Sequence, residues 1–173
     1  MPETITTRWH RAERVMAIFA HCDDIEMRVG GTVARMVREG KRVAYVVCVE
    51  NASVGPHVTE RPTAREMLAR RRAESQRAAA LLGVARVEHL AFKSYYLSRE
   101  DGSVVYPTFA DAETAAAELR DVVFDGLPPV LNGYTIPACR DRLLGLIREE
   151  RPQLILTQSP DDRHPDHYAV ARL

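Results

Sequence analysis

The sequence has 173 residues, within the range of roughly 100–200 usual for one domain and long enough to bury its own core. Apolar residues make up 46% and charged residues 28%, ordinary values for a folded globular chain and not for a disordered or collagen-like one. Lys plus Arg and Asp plus Glu number 24 each, so bulk charge gives no reason to expect nucleic acid or an anionic membrane as partner.

The N-terminus, MPETITTRWHRAERV, is polar and lacks the apolar centre of a signal peptide. Trp9 and His10 lie in this segment, which is placed to cover the core. Val15–Ala20 is a short apolar run that reads as a buried strand, broken by His21-Cys22-Asp23-Asp24. Gly30-Gly31-Thr32 then opens a helix with Val33, Met36 and Val37 on one face and Gly40 as its stop. Arg42–Val49 is β-branched and nearly continuous, a second buried strand. This strand–loop–helix–strand order points to a parallel sheet. Asn51–Pro62 reads as a loop around Gly55-Pro56, and Thr63–Leu82 as a long helix capped by Gly83. Val84–Phe92 is a third strand, and the stretch from Lys93 to Thr108 is irregular with a turn at Asp101-Gly102. A helix is expected over Ala110–Phe124, a Gly- and Pro-containing loop over Asp125–Asn132, and an amphipathic helix over Pro137–Glu150, stopped by Arg151-Pro152. Gln153–Thr157 is a strand, Ser159–His167 a polar loop, and Tyr168–Leu173 the start of a helix. The class is therefore α/β, Rossmann-like, with a mostly parallel sheet and helices on both faces. Ligands of such folds sit beyond the carboxyl ends of the strands.

Two polar loops follow strands directly, one spanning His21 to Glu26 and the other Asp161 to His167. Together they hold His21, His164 and His167, five aspartates and Glu26, in a chain with only 6 histidines. Imidazole and carboxylate side by side suit zinc and related divalent ions, and a catalytic site needs three protein ligands with one position open. Asp and His also cap helices and close turns, so one such loop alone carries little weight. Two of them on equivalent strand ends favour the metal.

Ala20-His21-Cys22-Asp23-Asp24-Ile25-Glu26, followed by Gly30-Gly31-Thr32, resembles the A-H-P-D-D-x-E loop of the PIG-L/LmbE-like N-acetylglucosaminyl deacetylases. His164-Pro165-Asp166-His167 resembles that family's second motif, and Arg71-Arg72-Ala73-Glu74 with Leu82-Gly83-Val84 its middle helix. The resemblance implies a metal-dependent hydrolase that removes an acetyl group from the amide nitrogen of a sugar-containing small molecule. It implies Zn2+, or another divalent ion, held by His21, Asp24 and His167. It implies Asp23 as general base, His164 as the group assisting the tetrahedral intermediate, and Asp166 as the residue orienting His164. Arg71 would face the substrate, and Glu26 would support the ligands. Three departures stand out: Cys22 replaces the family's Pro, Val49-Glu50-Asn51-Ala52 replaces its usual Thr and Gly, and the sequence ends six residues after His167. The expectation is thus one deacetylase-like domain over 1–173, without the C-terminal elements usual in the family.

Cys22, Cys48 and Cys139 are sparse and lack CxxC spacing, so a disulfide framework is not expected. No apolar run approaches the roughly 18 residues a membrane span needs. The expected setting is the cytoplasm, with no membrane or nucleic-acid partner and a homo-oligomer left open. His57 reads as a surface residue and His89 as structural. Tyr95 and Tyr96 read equally as a half-buried pair or a platform for a sugar ring. Three other readings compete with the deacetylase. An amidase acting on a related thiol conjugate would use the same groups. A nucleotide-binding module lacks G-x-G-x-x-G here and would set Asp23 and Asp24 against a pyrophosphate. A non-catalytic interaction domain has no need of so complete a set of His and Asp.

Overall fold

The computed structural model describes residues 5–50, 52, 62–101, 103–106, 111, 113, 114, 117, 120, 122, 130 and 137–173. Its helices are α1 (Ile5–Arg11), α2 (Asp24–Arg38), α3 (Ala64–Leu82), α4 (Pro137–Glu150) and α5 (Pro165–Arg172). Its strands are β1 (Arg14–Phe19), β2 (Arg42–Glu50), β3 (Arg86–Lys93), β4 (Leu97–Ser98), β5 (Val104–Val105) and β6 (Leu154–Thr157). The helix expected over Ala110–Phe124, the loop over Asp125–Asn132 and the loop with His57 lie largely outside the described residues.

Four strands form one parallel sheet in the order β3-β2-β1-β6. β1 and β2 are apolar along nearly their whole length because both sheet faces are covered. Side chains alternate between the two faces. Met16, Ile18, Val46 and Cys48 pack with Leu143, Ala169 and Val170 of α4 and α5. Val15, Ala17, Phe19, Val43, Tyr45 and Val47 pack with Ile25, Val33 and Met36 of α2, Ala79 of α3 and Trp9 of α1. Helices therefore flank both faces, as expected. No helix among the described residues is long and apolar enough to cross a membrane.

Several boundaries differ from the sequence reading. Helix α2 begins at Asp24, not at Gly30, with Asp24 and Glu26 in the first turn where the helix dipole favours negative charge. Helix α5 begins at Pro165, whose fixed φ suits the first helical position, so Asp166 and His167 are helical. The irregular stretch after β3 contains a small antiparallel hairpin, β4 with β5, around the expected turn. Helix α1 was not expected; the Trp9 indole donates to Glu39 and ties it to the end of α2. α3 has a complete capping box, Thr63 with Glu66, and ends on Gly83 at φ +73. β3 shifts register against β2 between Val47 and Val49, with Ala91 at φ 58. The resulting bulge bends β3 near its exit.

Candidate metal centre

β1 and β6 are adjacent and parallel, so the segments that follow them emerge side by side. His21 comes from the β1 exit, Asp24 from the first turn of α2, and His167 from the first turn of α5. All three are buried. His21 Nδ1 lies 3.3 Å from Asp24 Oδ2, His167 Nε2 lies 3.2 Å from the same oxygen, and the two nitrogens are 3.2 Å apart. A tetrahedral ion with bonds of about 2.0–2.1 Å would set its ligand atoms about 3.3–3.4 Å apart. The three donors already have that spacing, and their chemistry suits zinc.

Each imidazole has a carboxylate on its other nitrogen. His21 Nε2 meets Asp166 Oδ2 at 3.0 Å, and His167 Nδ1 meets Asp162 Oδ2 at 3.0 Å. Such carboxylates fix the tautomer and turn the remaining lone pair toward a metal. Asp166 has no exposed surface; its carboxylate also accepts from Ser94 Oγ and from the Tyr95 backbone N–H. Asp24 accepts from the His21 backbone N–H at 2.9 Å and from Gln158 Nε2 at 2.8 Å. Arg28, one turn further along α2, reaches both Asp24 and Asp162.

The electrostatics follow from these contacts. Burial would lower the His21 pKa, but Asp166 and Asp24 outweigh it and raise it to about 9. Burial would raise that of Asp24, but the bonds from His21 lower it to about 2. The pocket thus favours positive charge. His164 is pushed below the ordinary histidine value by burial and by its two histidine neighbours.

His164 caps α5, its Nδ1 accepting the Asp166 backbone N–H at 3.2 Å, and its ring stacks on His167 with centroids 4.3 Å apart. The Asp166 carboxylate is directed at His21, and the link to His164 runs through the backbone. His21, His164 and His167 also bring one donor each within 4.8 Å of one another. The triangle with Asp24 is tighter and leaves His164 at its side.

Asp23 is exposed at the N-terminus of α2, and its side chain does not cap the helix. Arg71 of α3 donates to Cys22 Sγ at 3.8 Å. Both line a cleft of about 270 Å³ with Glu26, Glu74 and Ser75. Cys22 Sγ therefore faces Arg71. Sequence reasoning missed Gln158, Ser94 and Arg28 as parts of the site, and counted Asp162 in the polar cluster without giving it a role. Only Arg28 carried a signal, since it lies four residues after Asp24, a spacing that joins side chains on a helix.

The pattern of the PIG-L family, described as GlcNAc-PI de-N-acetylase, matches residues 16–173. A 1D-myo-inositol 2-acetamido-2-deoxy-alpha-D-glucopyranoside deacetylase of Tsukamurella paurometabola is 32% identical over 168 residues, covering 91% of this chain and 52% of that protein. The chain spans about half the length of the curated relatives it matches. The N,N'-diacetylchitobiose deacetylase of Pyrococcus horikoshii superposes with a TM-score of 0.65 at 22% identity, covering 96% of this chain and 49% of that one. GalB, a 4-carboxy-2-hydroxymuconate hydratase of Pseudomonas putida, superposes with a TM-score of 0.59 at 21% identity, covering 92% of this chain and 52% of that one. The fold thus carries more than one chemistry, and only the site can discriminate between them. With a matching pattern over nearly its whole length, this chain belongs to the PIG-L family.

Proposed function

We propose that the chain is a zinc-dependent N-deacetylase that removes an acetyl group from the amide nitrogen of an N-acetylglucosaminyl-type small molecule. The observation that carries this reading is the triangle of His21 Nδ1, Asp24 Oδ2 and His167 Nε2, with a carboxylate behind each imidazole. The relatives named as deacetylases of N-acetylglucosaminyl compounds support the choice of substrate class.

In this reading His21, Asp24 and His167 hold the ion, and the rest of the chain prepares them. When bound, zinc would supply a Lewis acid for the amide carbonyl and a water of lowered pKa. Asp23, next in sequence to Asp24, takes the proton of the attacking water. His164 presents its Nε2–H, since its Nδ1 accepts the Asp166 backbone N–H, and donates that hydrogen bond to the developing oxyanion, while Asp23 passes the proton it took from the water to the leaving amine. Gln158 and Arg28 hold the Asp24 carboxylate in place, while Asp166 and Asp162 fix the two imidazoles. Arg71, at the cleft beside Asp23, contacts the substrate.

The test is amine release from 1D-myo-inositol 2-acetamido-2-deoxy-alpha-D-glucopyranoside and from diacetylchitobiose. The reading expects release that stops on chelation and returns with zinc. A chain that binds one zinc yet releases amine from neither compound contradicts it.

A further inference from the structure

The three-donor triangle adjoins an aromatic wall that the proposed chemistry does not use. The exit of β3 places Tyr95 and Tyr96 in sequence, and the β4–β5 hairpin returns Tyr106 against them. The rings form a closed cluster: Tyr95 and Tyr96 centroids are 5.1 Å apart, Tyr95 and Tyr106 5.7 Å, and Tyr96 and Tyr106 5.8 Å. Tyr95 also meets the His164 ring edge-on at 5.4 Å.

The wall is anchored to the same carboxylate that positions His21. The Tyr95 backbone N–H and Ser94 Oγ both donate to Asp166, so the segment has a fixed place relative to the ligands. Tyr106, at its outer end, is 59% exposed although it touches two other rings. An exposed aromatic face beside charged groups matches the two-sided chemistry of a pyranose: a C–H face that packs on a ring, and a polar rim that reaches carboxylates and imidazoles.

We infer that Tyr95, Tyr96 and Tyr106 form an aromatic subsite that seats the pyranose ring of an N-acylated sugar beside His164, with Tyr106 as the exposed platform. This rests on the deacetylase reading and adds the residues that select a ring-bearing amide. The subsite needs the ring face of Tyr106 and not its hydroxyl.

The test is saturation-transfer NMR on the zinc-loaded chain, with the aromatic protons irradiated and N-acetylglucosamine in solution. The expected result is transfer to the sugar ring protons. Tyr106→Ala should weaken binding about three- to tenfold, the scale of one lost ring contact. Tyr106→Phe should keep the contact. Zinc content reports that each variant is folded, and Tyr106→Leu, which retains bulk without an aromatic face, replaces the alanine variant if that one fails to hold zinc. Transfer confined to the acetyl methyl group, or unchanged in a folded Tyr106→Ala or Tyr106→Leu protein, overturns the inference. Amine release on the same samples separates the two claims. Ring contact without release keeps the subsite and removes the deacetylase reading; release without ring contact does the reverse.

Discussion

Replacing Asp166 by asparagine changes one atom type at a fully buried position and reaches the three-donor triangle only through His21. The Asp166 carboxylate accepts three hydrogen bonds, from Ser94 Oγ, the Tyr95 N–H and His21 Nε2. With the carboxylate in place, Nε2 keeps its proton for Asp166, and it is Nδ1 that loses its own and offers a lone pair when a metal binds. An asparagine whose oxygen stays with the Tyr95 N–H turns its NH2 toward His21 Nε2, which drives the proton onto Nδ1 and blocks ligation. The flipped amide opposes its NH2 to the Tyr95 N–H and leaves a buried donor unpaired, at a cost of about 1–3 kcal/mol. Losing such a supporting carboxylate lowers metal affinity about 10–100-fold. That corresponds to roughly 1.4–2.7 kcal/mol of binding free energy. Zinc affinity is read by competition with a chelator at fixed pH, with circular dichroism as the check on folding. Asp162→Asn changes one partner of His167 Nδ1, which Arg28 also approaches at 3.2 Å, and should lower zinc affinity as well. A folded Asp166→Asn protein that binds zinc as tightly as wild type refutes the tautomer argument.

Other expected outcomes concern the base and the fold. Asp23→Asn should keep one zinc per chain while amine release drops by about 10²–10⁴-fold. Near wild-type release would remove Asp23 from the role of base. Glu150 is subject to burial, which raises its pKa, but Arg86 and Arg42 hold it below the usual carboxylate value. A depressed folded pKa means stability that is present above the unfolded value of about 4.3 and lost as pH falls below it. Glu150→Gln should lower the melting temperature by about 2–4 °C at pH 7, the equivalent of about 1 kcal/mol in a chain of this size. The gap to wild type should close as pH drops below about 4, and a gap independent of pH contradicts the assignment. Gly83→Ala places a Cβ 2.9 Å from Val37 Cγ1 at a φ of +73. It should cost about 1–2 kcal/mol in urea unfolding, and an unchanged midpoint would contradict the strain argument.

The meeting of the two polar segments at one sheet edge was legible because it follows from topology, whereas the choice of His21, Asp24 and His167 within them rested on the family resemblance. Two polar segments each follow a strand, and the parallel sheet makes those strands neighbours. The bounds of α4 were equally legible, since Pro137 opens it and Arg151-Pro152 closes it. The partners of the ligands were not. Gln158 and Ser94 are single polar residues that matter only because chain reversal brings them to Asp24 and Asp166. Asp162 reads from sequence as one carboxylate of the second polar loop, and nothing local says that it faces His167. The pairing of Asp166 with His21 depends on α5 starting at Pro165, which turns the aspartate inward. Reading α2 from Gly30 also hid Arg28, because the i,i+4 link to Asp24 exists only if both lie on the helix. The β4–β5 hairpin escaped notice because a ladder of two residues per strand has too short a period to detect.

The account depends on segments from opposite ends of the chain sharing one cation. Anomalous diffraction from zinc-loaded crystals at the zinc edge tests this directly. The predicted result is one ion at about 2.0–2.1 Å from His21 Nδ1, Asp24 Oδ2 and His167 Nε2. An ion held by His164 in place of Asp24, an ion bound at Cys22, or no ion between the two segments would contradict it.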